Sequence, residues 1–117
     1  MSTVKAESGV LAYTKDKATD WYAWNNLMPP GPPSIHVVGT IEVPNPGVEP
    51  SLTERVPQGI NHSILLLNLD LIQMPGIWPQ HVVRKQVRFD KVKAVYSEVF
   101  VFADDVQIAK IEVRDVF

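Results

Sequence analysis

All ten prolines of this 117-residue chain fall between Pro29 and Pro79, and residues 80–117 contain neither proline nor glycine. Proline fixes φ and carries no backbone N–H, so it interrupts any ladder in which it stands. The chain therefore divides into an N-terminal portion, a punctuated middle and a closing run. In that closing run apolar residues largely alternate with polar ones, the period-two pattern of β-strands.

One domain is enough for this length, and 45% hydrophobic against 21% charged residues is the balance of a globular protein. A net charge of −2 gives no strong field for drawing in nucleic acid or acidic lipid. The absence of cysteine excludes disulfides, thiolate nucleophiles and Cys-ligated metal sites. The first eight residues lack the apolar core of a secretory signal, and the longest apolar run, Ile64-Leu65-Leu66-Leu67, is too short to cross a bilayer. A soluble, cytoplasmic protein with no membrane contact is expected.

Residues 9–14 read as a first strand candidate. Residues 16–27 are ambiguous. Asp16 would cap a short helix with Ala18, Trp21, Tyr22 and Asn25 at helical spacing, or the stretch is a loop pinned by its aromatics. Pro29-Pro30-Gly31-Pro32-Pro33 reads as a stiff, extended spacer. Residues 35–43 form a strand whose Gly39 marks a bulge or the close approach of another side chain. Residues 51–56 are a short peripheral strand, and residues 64–72 carry a leucine face of Leu65, Leu67, Leu69 and Leu71 for the core.

Residues 82–89 alternate, except that Lys85 falls on the inward face, a device of edge strands. Residues 92–102 are apolar on both sides, as in a central strand. Ala103-Asp104-Asp105 makes a tight hairpin into residues 106–113, where a bulge near Ile108-Ala109 reconciles two parities. Six strands, with a seventh at the N-terminus, and no crossover helices predict an all-β fold. The expected form is an antiparallel two-sheet β-sandwich of immunoglobulin-like architecture, with a small β-barrel as the alternative. Residues 1–33 would be an arm bearing the aromatic cluster and spacer, and residues 34–117 the sandwich.

No motif names a family or a reaction. His36, His62 and His81 lack metal-ligand spacing, so neither a metal nor a cofactor is expected. A triad drawn from Ser63, His62 and Asp70 fails because adjacent residues of a strand point to opposite faces. Arg84 and Arg88 share a face and would contact an anion, but no RNA-binding aromatic motif accompanies them, and nucleic acid is not the expected partner.

Trp21, Tyr22, Trp24 and Asn25, with Trp78 in its Gly-Pro loop, have the chemistry of interface hot spots and of sugar stacking. These residues predict a non-enzymatic module that binds another protein or a second copy of itself. The alternative is a small-ligand site, with carbohydrate as the natural occupant.

Overall fold

The computed structural model describes residues 17–117, so the strand candidate at residues 9–14 and the Asp16 cap lie outside the described residues. Seven strands follow: β1 (Ala18–Asn26), β2 (Ser34–Val43), β3 (Val48–Glu54), β4 (Ile64–Gln73), β5 (Val83–Val92), β6 (Glu98–Ala103) and β7 (Val106–Val116). They form one sheet in the order β3-β4-β6-β7-β1-β2-β5. The fold is all-β, and no described helix is long and apolar enough to cross a membrane.

The two-sheet sandwich is corrected to a single, nearly closed, barrel-like sheet. The cause is β7. Its first part pairs with β6 from Val106 to Glu112, and its last part pairs with β1 from Val113 to Val116. One strand thus joins what would otherwise be two sheets. The sheet curls until its outer strands, β3 and β5, touch, although no backbone ladder connects them.

The pairing is not wholly antiparallel either. β1 runs parallel to β7, and β4 runs parallel to β6. Parallel neighbours need a long crossover, which is commonly a helix. Here β5 is the crossover between β4 and β6, on the far wing of the sheet.

Residues 18–26 are neither helix nor loop but a strand, β1, paired on both sides. The β1–β2 register slips between Thr19 and Tyr22, where Asp20 takes the left-handed conformation with φ 55°. Asp tolerates that region better than most residues, and the extra residue of the bulge re-aims its neighbour. Trp21 thereby turns inward over Gly39, where an added Cβ would lie 2.4 Å from the ring. Of the two expectations at Gly39, the close approach is met, while β2 itself runs through Gly39 in unbroken register with β5 and the bulge lies in β1. The proline segment is the connection between β1 and β2, and the Lys93 N–H at the end of β5 donates to the Pro33 carbonyl at 2.6 Å.

The interior is filled by Ile35, Val37, Ile41 and Val43 of β2, Leu65, Leu67 and Leu69 of β4, and Val99 and Val101 of β6. Each is essentially removed from water, which contributes about 1.5–3 kcal/mol per large side chain. Leu71, the last of the leucine face, is only half-buried. Asp104 and Asp105 both have positive φ, 50° and 65°, as a two-residue turn of the hairpin type requires. The expected bulge is at Ile108, because Ala109 faces Val101 while Gln107 faces Phe102.

β5 lies at the edge of the order, as its inward lysine indicates. Lys85 donates from Nζ to Glu49 of β3 at 2.6 Å and to the Pro46 carbonyl at 2.7 Å. Lys91, also inward by parity, donates to Glu54 of β3 at 2.8 Å. Where backbone pairing stops, two ion pairs span from β5 to β3.

Candidate functional site

The outer face of β1, β2, β5 and the end of β7 brings together the richest chemistry among the described residues. Strand parity and register set it out in rows. Arg114, Trp24, His36 and Asp90 stand side by side across four strands, with Tyr22, Val38 and Arg88 in the adjoining row. Trp24 stacks on Tyr22 at 5.6 Å between ring centres and on His36 at 5.1 Å. The Arg88 guanidinium lies 5.7 Å from the centre of the Trp24 ring, within cation–π reach.

Asp90 holds this cluster together. Its carboxylate accepts from Arg88 Nε at 3.0 Å to each oxygen and bonds His36 Nδ1 at 2.6 Å. Burial pushes the Asp90 carboxyl up, but the hydrogen bonds from Arg88 and then His36 outweigh it and hold the group below its ordinary value. An ionised carboxylate only accepts, so a neutral His36 carries its proton on Nδ1. Its Nε2, 2.8 Å from Ser34 Oγ, then accepts the serine hydroxyl. Ser34, His36 and Asp90 therefore form a continuous hydrogen-bonded chain.

The sequence alone does not assemble that chain, although half of it has a local signal. Ser34 and His36 are two apart on one strand and so share a face, unlike the adjacent His62 and Ser63. Asp90 comes from a strand 54 residues further on. His62 and Ser63 lie in the loop before β4, where Ser63 donates to Asn61, and Asp70 stands well along β4. Those three residues do not form a hydrogen-bonded set, and among the described residues no three His, Asp or Glu side chains converge as metal ligands.

The predicted contact residues separate. Tyr22 is 51% exposed, and Trp24 is half-buried in the stack. Trp21 is turned into the core, where its Nε1–H is buried without a hydrogen-bond partner. Asn25 is buried as well. Its Nδ2 donates to the Tyr96 carbonyl at 2.9 Å and to Asp115 at 2.8 Å, and its Oδ1 accepts from the Tyr96 N–H at 3.1 Å. Trp78 is half-buried against Gly47, where a Cβ would lie 2.3 Å from Nε1, and it donates to the Met74 carbonyl at 3.0 Å.

The two arginines of the expected anion contact each have a carboxylate partner, Asp20 for Arg84 at 3.2 Å and Asp90 for Arg88. With Lys85 on Glu49 and Lys91 on Glu54, the basic run of β5 is largely neutralised. Arg114 has no ion pair among the described residues. It borders an open groove of about 490 Å³ whose walls are β1 from Tyr22 to Trp24 and β7 from Arg114 to Val116. The chain matches no protein-family model, no curated protein and no solved structure.

Proposed function

We propose that the protein is an interaction module that binds another protein through the outer face of β1, β2 and β5, centred on Tyr22, Trp24 and Arg88. The observation that carries this reading is the locked stack. Tyr, Trp and Arg are the residue types that dominate binding energy at interfaces. Here their geometry is fixed in advance by ring stacking and by the carboxylate of Asp90, which lowers the ordering cost of association. A cysteine-free chain suits a reducing compartment, and the cytoplasm is the compartment assigned in this reading.

The test is affinity capture with the wild-type chain and with Tyr22→Ala and Arg88→Ala, alongside sedimentation equilibrium of the pure protein. Truncating a hot-spot residue costs about 2 kcal/mol, roughly a 30-fold weaker complex. A partner retained equally by the wild type and by both variants would overturn the reading. Concentration-dependent dimerisation that Tyr22→Ala abolishes would make the partner a second copy.

The groove beside Arg114 favours a second reading, a small-ligand site, since its volume lies in the range of ligand pockets. Trp24 already stacks on two rings, so Tyr22 is the ring with surface left for a sugar. Titration with a panel of glycans should shift tryptophan fluorescence, and a flat response throughout would remove this reading.

A further inference from the structure

The Ser34–His36–Asp90 chain has the bonding order of a nucleophilic relay: hydroxyl to Nε2, and Nδ1–H to carboxylate. Three contacts fix the imidazole, namely Ser34, Asp90 and the stacked Trp24 ring. Arg88 Nε bonds both oxygens of Asp90 and favours its ionised form, so the carboxylate orients the ring and would stabilise an imidazolium.

The row beside the relay supplies what acyl transfer further needs. Across four strands it reads Val116, Asn26, Ser34 and Val92. Asn26 stands directly opposite Ser34 on the same face. Its Oδ1 accepts from the Met28 N–H at 3.1 Å, which fixes the amide, and its Nδ2 donates to no protein group among the described residues. The backbone N–H of Ser34 belongs to a strand paired on both sides, so the Asn26 side-chain amide is the available donor for a developing oxyanion. Val92 and Val116, 66% and 41% exposed, give the site an uncharged rim. Ser34 itself is only 8% exposed, which restricts attack to a carbonyl carrying little bulk.

We propose that Ser34, His36 and Asp90, with Asn26, form a hydrolytic site for uncharged carboxylic esters with a short, unbranched acyl group. Ser34 Oγ attacks the carbonyl carbon as its proton passes to His36 Nε2, and the carbonyl π pair moves to oxygen beside Asn26 Nδ2. The adduct collapses, the ester C–O bond breaks, and the leaving alkoxide takes the proton from Nε2. Water then attacks acyl-Ser34 by the same route, giving the carboxylic acid and returning the proton to Ser34. The proposal does not rest on partner binding: Arg88 serves both arrangements, but Ser34 and Asn26 have no part in the proposed interface and Tyr22 has none in the relay.

The test uses a fluorophosphonate probe with peptide mapping, and p-nitrophenyl acetate as substrate. The wild type is expected to form a single phosphonyl adduct on Ser34, with loss of fluoride, and to turn over the acetate. Ser34→Ala should abolish both. His36→Gln should slow both by about 100-fold or more, and Asn26→Ala should lower kcat by a similar factor with KM little changed. Asp70→Asn, remote from the site, should behave as wild type. Thermal unfolding of each variant establishes that it is folded. The wild-type result decides by itself if a variant fails to fold: no adduct on Ser34, or labelling spread over other serines, overturns the proposal. So does labelling of Ser34 at an unchanged rate in folded His36→Gln.

Discussion

Asn25 shows how one side chain's environment sets its role. Its residue type and its place beside Trp24 predict a polar contact to a ligand, yet its amide is spent on Tyr96 and Asp115 inside the fold. Asn25→Ala leaves the half-buried N–H and carbonyl of Tyr96 without this partner. It should destabilise the protein by about 1–2 kcal/mol in urea unfolding, because a lost hydrogen bond costs about 1 kcal/mol and the half-buried groups of Tyr96 are only partly rehydrated. Gly39 is the converse, a residue legible in advance. A glycine in mid-strand implies a neighbour that needs its missing Cβ, and Trp21 is that neighbour. Gly39→Ala should cost about 1–3 kcal/mol by overpacking and should change the Trp21 fluorescence, whereas Gly31→Ala, with open space around it, should not.

At the level of elements, most strands were legible because burial imposes a period of two, while their partners were not. β1 is the instructive exception. Its inward residues are Ala18, Trp21, Ala23 and Asn25, and the bulge at Asp20 stretches the first interval from two residues to three. That single insertion imitates helical spacing. The dual pairing of β7 leaves no local trace either, because each half would look the same beside any neighbour. The reactive chain of Ser34, His36 and Asp90 was hidden for the same reason, since it depends on the β2–β5 register. The end of β5 offers a separate test. Lys93 has a φ of 58°, a conformation that costs a residue with a Cβ about 1–2 kcal/mol. Lys93→Gly should therefore raise stability by up to about 1 kcal/mol, measured as an increase in the urea midpoint.

For the whole molecule, two groups whose titration shifts on folding tie stability to pH, Asp90 on the acid side and Lys91 on the alkaline side. Asp90 has a depressed value in the folded state, so its contribution is present above the ordinary carboxylate range and is lost as pH falls through the folded value. Lys91 is raised above its ordinary 10.5 by hydrogen bonds to Glu54 and then Tyr96. Its contribution is present below that value and is lost as pH rises through the higher folded one. The melting temperature should show a plateau between these limits. Asp90→Asn should flatten the acid side and Lys91→Met the alkaline side, and a profile unchanged by either substitution would contradict the assignment.

The contact between β3 and β5 also sets how the protein responds to its medium. Every other pair of neighbouring strands is joined by backbone hydrogen bonds, which dissolved ions do not screen appreciably. This pair is spanned by Lys85–Glu49 and Lys91–Glu54, whose side chains are partly open to water. At physiological ionic strength the screening length is about 8 Å, and at 1 M it falls to about 3 Å. Salt should therefore loosen the cylinder along one line and leave the other strand pairs intact. Hydrogen exchange at raised salt would register that as faster exchange confined to β3 and β5.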